Sequence, residues 1–133
     1  MRYLGIDYGK KKIGLAIGDD ESGIASPAEV MVNDGDEVQK IIALVMTEGI
    51  DAVVVGVPGA VGKFHSSHQK KITQTFIDRL RFKLDRPVYE VDEKFTSVES
   101  QRIQEESGTG AKEDALAAML ILQEYLDSLK PSN

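Results

Sequence analysis

The chain has 133 residues, of which 41% are hydrophobic and 29% charged, a composition typical of one globular domain rather than of a disordered or fibrous protein. It contains no cysteine, which excludes disulfides, zinc–thiolate sites and thiol nucleophiles. No apolar run reaches the length of a membrane span, and the first residues lack the apolar segment of a signal peptide. We therefore expect a single domain over residues 1–133, located in the cytoplasm and without membrane contact.

Charge is unevenly distributed along the sequence. The net charge of −6 disfavours a nucleic-acid partner if the chain is considered as a whole. Residues 63–86 nevertheless carry seven basic side chains against two acidic ones, and residues 10–12 are three consecutive lysines. Such runs are often solvated surface, but here they also leave room for a local nucleic-acid contact.

The first third of the chain is predicted to be an antiparallel meander. Strands are expected at residues 2–7 and 13–18, and the short basic turn between them requires a hairpin. A third strand is expected at residues 28–32, beside the second. Asn33, Asp34 and Asp36 follow it as candidate caps for a helix.

Helices and strands alternate in the remaining two thirds. A helix is predicted after residue 36, because its apolar residues recur at the i, i+3, i+4, i+7 spacing of one helix face: Val38, Ile41, Ile42 and Val45. The further elements are a continuously apolar strand at 51–58, a helix containing Ile72, Phe76, Ile77, Leu80 and Leu84, a strand at 87–93, and helices at about 96–107 and 112–128. This order predicts an α/β fold with one mixed sheet and helices on both faces.

Two acidic residues lie where predicted strands end. Asp7 ends the first strand and Glu93 ends the fifth, and in open sheets ligands gather at the carboxyl ends of neighbouring strands. A third acid, Asp114, belongs to the last helix. Helical spacing places it on one face with the mostly apolar set Ala118, Ile121 and Tyr125, so its side chain is expected to face the protein interior.

Three carboxylates in apolar surroundings indicate a bound cation, because buried acids are normally paired or bound to metal. Mg²⁺ and Mn²⁺ take oxygen ligands, and two such ions about 4 Å apart can promote phosphodiester hydrolysis. Each acid also has an ordinary structural explanation: a turn cap for Asp7, a salt bridge to Lys94 for Glu93, and a place in the first helical turn for Asp114. Their joint placement is what favours the metal site.

Three segments of the chain resemble the YqgF (RuvX) family of Holliday-junction resolvases, also described as nucleases for the ends of ribosomal-RNA precursors. They are GIDYGKKKIGLAIGD, VDEKFTSVES and AKEDALAAMLILQEYL, with VVVGVP between the first two, and the likeness runs from about residue 3 to 126. The resemblance implies an RNase H-like fold with a five-stranded mixed sheet in the order 3-2-1-4-5. It also implies that Asp7, Glu93 and Asp114 are catalytic residues and ligands of Mg²⁺ or Mn²⁺, with two ions expected.

The resemblance further implies a nucleic-acid substrate, either an rRNA precursor or branched DNA. Two features differ from the family pattern: the segment GVPGAVGKFHSSHQKK lacks the family's Asn, and Lys94 replaces an arginine. Lysine binds phosphate without the bidentate geometry of arginine. The candidate nucleic-acid contacts are Gly9, Lys10, Lys63, Lys70, Lys71 and Lys94, with Gly9 allowing the backbone to approach a phosphate.

Other functions stay open from the sequence. The same fold would serve a non-catalytic nucleic-acid-binding or ribosome-associated factor. The segment D-x-G beside a basic turn is also found in actin-like ATPases, but those enzymes close two domains around the nucleotide, and 133 residues supply only one. RNA and DNA substrates, and a monomer or a homodimer, are equally compatible with the residues.

Overall fold

The computed structural model describes residues 1–58, 64–92 and 110–130. They form five strands and three helices: β1 (Arg2–Tyr8), β2 (Lys12–Asp19), β3 (Ile24–Val32), α1 (Glu37–Glu48), β4 (Ala52–Val57), α2 (Phe64–Lys83), β5 (Val88–Asp92) and α3 (Gly110–Ser128). No helix among these residues is long and apolar enough to cross a membrane.

The strands form one mixed sheet in the order β3-β2-β1-β4-β5. β1 pairs antiparallel with β2 and parallel with β4, while β4 pairs parallel with β5. The carboxyl ends of β1, β4 and β5 therefore lie at the same edge of the sheet, which we call the carboxyl edge. The predicted fold class and strand order are confirmed.

The element boundaries differ from the predictions mainly at β3. This strand begins at Ile24 rather than at residue 28, because it pairs with β2 along its length from Asp19↔Ile24 to Lys12↔Val32. It is an edge strand whose side chains are mostly exposed, so its first half lacks the apolar alternation that sequence reading depends on. The helix predicted at about residues 96–107 lies outside the described residues.

One face of the sheet is covered by α1 and α2. The predicted apolar stripe of α1 is confirmed, with Val38, Ile41 and Val45 buried in the core. These side chains belong to a cluster with residues of β1, β2, β4 and α2, whose largest fully buried members include Leu4, Ile6, Ile13, Leu15, Phe76, Ile77 and Leu80. Burial of this apolar area is the main force that holds the two helices on the sheet.

The opposite face is covered by α3, which lies unusually close to the strands. Small side chains make this approach feasible: a Cβ added at Gly5 would stand 2.7 Å from the Cβ of Leu122 and 3.0 Å from the carbonyl oxygen of Ala118. Ala115, Ala117 and Ala118 of α3 are all buried. Glycine in the strands and alanine in α3 thus allow the helix backbone to come close to β1 and β2.

Candidate functional site

Asp7 lies at the carboxyl edge, on the sheet face that α3 covers. Side chains alternate along a strand, and Leu4 and Ile6 of β1 point into the core beneath α1 and α2. Gly5 contacts α3 from the other face, so Asp7, two residues further on, projects to the same side as Gly5. Asp7 is partly buried there.

Asp114 is brought next to Asp7 by a glycine on β2. Asp7 pairs with Gly14 in the antiparallel register of β1 and β2. A Cβ at Gly14 would overlap the carbonyl oxygen and carbon of Asp114, so the α3 backbone rests directly on this glycine. Opposite residues of antiparallel strands have Cα atoms about 5 Å apart, which makes Asp114 a near neighbour of Asp7.

The Asp114 side chain is partly buried, as its helical position predicted. Burial raises the pKa of this carboxyl group above its ordinary value, and the positive charge of Lys12 opposes that shift to a smaller extent. Because α3 begins at Gly110, Asp114 lies beyond the first helical turn. A favourable interaction with the helix dipole at its amino terminus therefore does not explain why an acidic residue lies at position 114.

The turn that follows Asp7 is held by hydrogen bonds from two distant elements. The N–H of Gly9 donates to the carbonyl oxygen of Lys12 at 3.0 Å, which closes the turn. Asn33 donates from Nδ2 to the Gly9 carbonyl oxygen at 2.8 Å, and Gln69 of α2 donates from Nε2 to the Tyr8 carbonyl oxygen at 3.2 Å. The two side-chain amides thus each bind one of the two residues that directly follow Asp7.

Sequence reading missed these two amides. Asn33 was expected among the helix caps, but α1 starts at Glu37 with Asp36 at its N-cap position and no side-chain capping bond. Asn33 follows the end of β3 beside the β1–β2 turn, so the turn is within reach of its amide. Neither residue carries a sequence signal for such a role, since the contacts arise only when β3 and α2 pack at the carboxyl edge.

Cations without an ion-pair partner cluster at this same edge. Within the described residues, the four arginines and two further lysines form salt bridges, namely Arg2, Arg79, Arg81, Arg86, Lys40 and Lys130, whereas Lys83 at the end of α2 forms none. The turn lysines Lys10, Lys11 and Lys12 are exposed and form no salt bridge there, and the same holds for Lys70 and Lys71 near the start of α2. The bond from Gln69 to Tyr8 places that start beside the end of β1.

The Tyr8 ring packs against α2. It stacks on Phe76 of α2 with centroids 4.2 Å apart and an interplanar angle of 21°. The ring therefore belongs to the core side of β1 rather than to an open stacking surface.

Part of the predicted site lies outside the described residues: Glu93, Lys63 and Lys94. In the segments that are described, no group of three His, Asp or Glu side chains is placed to hold a metal ion. Asp7 and Asp114 are hard oxygen donors on one face, so the residues present fit two ligands of a Mg²⁺ or Mn²⁺ centre.

Comparison with known proteins identifies the family. The sequence model of the RuvX family, described as Holliday junction resolvase, matches residues 1–128. This chain belongs to the RuvX family. A relative from Sulfurihydrogenibium sp. (strain YO3AOP1), named "Putative pre-16S rRNA nuclease", is 36% identical over 137 residues, covering 99% of this chain and 94% of the relative.

Solved structures of resolvases share the fold of this RuvX-family chain. RuvC of T. thermophilus, in complex with a Holliday junction substrate, has a TM-score of 0.59 at 16% identity, with 96% of this chain and 95% of that chain covered. The fowlpox virus resolvase, in complex with Holliday junction DNA, has a TM-score of 0.60 at 17% identity, covering 98% and 100%. At these identities the likeness establishes the fold, which is RNase H-like.

Proposed function

We propose that this protein is a metal-dependent endonuclease that hydrolyses phosphodiester bonds in structured nucleic acid. The observation that supports the proposal most directly is that the Asp114 backbone packs on Gly14, the cross-strand partner of Asp7, at an edge where lysines have no ion-pair partner in the described residues. Lysines near the acids would bind the phosphates of a nucleic acid, and cations held by the acids would stabilise the charge that develops when a phosphodiester is cleaved. The family membership and the relatives' names support the same reaction.

The proposed metal ligands are Asp7, Glu93 and Asp114, with two ions of Mg²⁺ or Mn²⁺. Glu93 directly follows Asp92, the last residue of β5, whose carboxyl end shares the edge with β1. Such ions, when bound, supply activation of a water molecule and stabilisation of the leaving oxygen. The carboxylates hold and orient them, and the partial burial of Asp114 means that its negative charge gains from a nearby cation.

The basic residues are proposed to hold the substrate backbone. Lys10 extends from the turn after Asp7, and Lys70 and Lys71 lie near the start of α2, so phosphates of one strand would meet both groups at the carboxyl edge. Gly9 is proposed to contact a phosphate through its backbone; the Cβ that it lacks would stand 2.5 Å from the Lys12 carbonyl oxygen, so the turn itself requires glycine here. Lys63 and Lys94 are added from their positions in the sequence, next to α2 and to Glu93. This local charge attracts a polyanion despite the net charge of −6.

The substrate class is proposed as either the ends of a pre-16S rRNA or a four-way DNA junction. The relatives' name indicates the first, and the family description indicates the second. We further propose that the protein acts in the cytoplasm as a single domain, as a monomer or a homodimer.

One experiment tests the reaction and the substrate together. A labelled four-way DNA junction and a labelled pre-16S rRNA fragment are incubated with Mn²⁺, with Mg²⁺ or with chelator, using the wild type, Asp7→Asn and the control Asp78→Asn. Asp78 is exposed on α2, so Asp78→Asn removes one negative charge, as Asp7→Asn does, but at a position away from Asp7 and Asp114. We expect metal-dependent cleavage of one substrate, lost in Asp7→Asn and retained in Asp78→Asn.

The opposite outcome has a definite meaning. Cleavage by Asp7→Asn at the wild-type rate would refute the proposed site. Tight binding of both substrates without cleavage in any metal would replace the nuclease by a non-catalytic nucleic-acid-binding or ribosome-associated factor on the same fold.

A further inference from the structure

We propose that Asn33 and Gln69 are positioning residues that fix the backbone after Asp7 and so present the basic turn, residues 10–12, to the phosphates of a nucleic acid. This inference rests on the proposed function, since it assigns the parts that hold the same substrate. Neither residue carries charge, and neither is proposed to touch a metal ion. Their effect is exerted through the segment they bind.

Asn33 anchors the turn from the edge strand. Its Nδ2 donates to the Gly9 carbonyl oxygen at 2.8 Å, and its backbone N–H donates to the Lys11 carbonyl oxygen at 2.9 Å. The turn therefore receives one bond near its start and one near its end from the same residue. Together with the bond from Gly9 to Lys12, these contacts fix the backbone that carries the three lysines.

Gln69, on α2, anchors the end of β1. Its Nε2 donates to the Tyr8 carbonyl oxygen at 3.2 Å, and its own backbone carbonyl accepts from the buried Thr73 Oγ1 at 2.8 Å. Phe76, further along α2, stacks on the Tyr8 ring. The same helix thus binds Tyr8 by its ring and by its carbonyl group.

The two anchors leave the lysine side chains available. Lys10, Lys11 and Lys12 are exposed, and none forms a salt bridge with another described residue. The conformation of the turn is consequently set by hydrogen bonds to its backbone and not by the lysine side chains. A turn that is ordered before binding loses less conformational entropy when it contacts phosphate, which raises affinity.

The test measures binding where cleavage is blocked. Fluorescence anisotropy with the labelled DNA junction and the labelled rRNA fragment, in chelator and over a series of salt concentrations, compares the wild type with Asn33→Ala and Gln69→Ala. The control is Gln123→Ala: Gln123 Nε2 also donates to a backbone carbonyl, that of Gly23 at 2.8 Å, but between β2 and β3 at the opposite edge of the sheet. Gln123 further donates to Asp127 Oδ1 and accepts from the Ala25 N–H, each at 3.0 Å, so this variant loses at least as many hydrogen bonds as the test variants. All variants are compared at equal folded fraction.

We expect Asn33→Ala and Gln69→Ala each to bind about fivefold more weakly, the effect of removing roughly one hydrogen bond's net free energy from the ordered turn. The plot of log affinity against log salt becomes shallower by about one unit for each phosphate that the turn no longer binds. Hydrogen exchange of the Gly9 amide, which donates within the turn, should become faster in both variants. Gln123→Ala should alter none of these quantities, although it removes a hydrogen bond from a side-chain amide to a backbone carbonyl.

Unchanged affinity and salt slope in both variants would overturn the inference, and so would absence of wild-type binding to either nucleic acid. If Asn33→Ala does not fold, Gln69→Ala decides the question alone. The nuclease proposal is judged separately, by metal-dependent cleavage. Binding that depends on Asn33 and Gln69 in a protein that cuts neither substrate would retain the positioning role and refute the nuclease.

Discussion

The carbonyl group of Asp114 lies directly against Gly14, so that no side chain larger than hydrogen fits between α3 and β2 at this point. Gly14 is in turn the cross-strand partner of Asp7. Gly14 therefore sets how closely the Asp114 backbone approaches the strand pair that carries Asp7. The contact is made by backbone atoms, which cannot rotate aside as a side chain would.

Gly14→Ala is expected to move Asp114 away from Asp7. The added Cβ overlaps backbone atoms of α3, which cannot rotate aside as a side chain would, so the helix must shift. We expect a loss of about 1–3 kcal/mol in the free energy of unfolding, the usual cost of overpacking, together with loss of cleavage and of Mn²⁺ binding. Urea denaturation and calorimetric titration with Mn²⁺ measure the two effects.

Gly18→Ala is the matched control for this substitution. Gly18 lies on the same strand and the same face, and its added Cβ would stand 2.7 Å from the Ile24 carbonyl oxygen and 3.1 Å from Leu126 Cδ1. It should destabilise the protein without displacing the amino-terminal part of α3. Equal loss of Mn²⁺ binding in both variants would show that Gly14 has no special relation to the acids.

Much of the fold could be predicted because it follows from local patterns. The spacing of Val38, Ile41 and Val45 predicts α1 and its buried face, and both are observed. The short link between β1 and β2 requires a hairpin, and the family resemblance supplies the strand order. β3 was predicted too short, because an exposed edge strand such as Ile24–Val32 is stabilised by backbone pairing that leaves no mark on the side-chain pattern.

The acidic residues of the candidate site could be chosen from the sequence, but their arrangement in space could not. Asp7 and Asp114 could be chosen because acids in apolar surroundings are uncommon, and the structure places both on the α3 side of the sheet. The contact of Gly14 with Asp114 and the bonds of Asn33 and Gln69 join segments distant in sequence. A glycine or an amide has many uses, so only the packed structure shows which use it serves. The role of Glu93 stays a prediction.

Asp114→Asn is expected to stabilise the protein at neutral pH when metal is removed by chelator. Burial raises the pKa of this carboxyl group in the folded state, so the folded state binds its proton more tightly than the unfolded state does. The group's contribution to stability is therefore greatest below its unfolded pKa and declines as pH rises through the folded pKa. The partly exposed side chain limits the gain to about 1 kcal/mol or less.

Urea denaturation of the wild type and Asp114→Asn from pH 3 to pH 8 measures this gain. The difference should be largest at neutral pH and vanish near the lower limit, where both side chains are uncharged. Asp78→Asn, on the exposed face of α2, serves as the control and should show no comparable trend. A wild type that is more stable than Asp114→Asn at pH 7 in chelator would contradict the predicted sign.

Arg79→Ala is expected to destabilise the contact between α1 and α2. Arg79 Nη1 donates to Glu37 Oε1 at 3.0 Å, and the Glu37 side chain is only 3% exposed. Its other oxygen, Oε2, has no hydrogen-bond partner in the described part of the chain, so Arg79 supplies the ion pair for a buried charge. Removing one partner of such a pair leaves an uncompensated charge, and we expect a loss of about 2 kcal/mol because Arg79 is half exposed.

The control for Arg79→Ala is Arg86→Ala, which removes the exposed pair with Asp85 and should cost less than about 0.5 kcal/mol. Adding Glu37→Gln to Arg79→Ala should recover part of the stability, because the buried charge is then absent. Urea denaturation at pH 7 measures the wild type and all three variants. Equal unfolding free energies for Arg79→Ala and Arg86→Ala would show that the Glu37 carboxylate does not depend on its arginine.

Replacing Lys70 and Lys71 together by alanine is expected to weaken nucleic-acid binding in a salt-dependent way. Both side chains are exposed at the start of α2, which Gln69 holds beside the end of β1. A lysine that contacts phosphate releases counterions on binding, so removing two such lysines should reduce the slope of log affinity against log salt by about two. The double variant Lys40→Ala with Lys130→Ala removes the same charge from lysines that pair with Asp34 and Asp127. Equal slopes for the two double variants would show that only the total charge of the protein matters. A shallower slope for the Lys70 and Lys71 variant alone would place the backbone of the nucleic acid at the carboxyl edge.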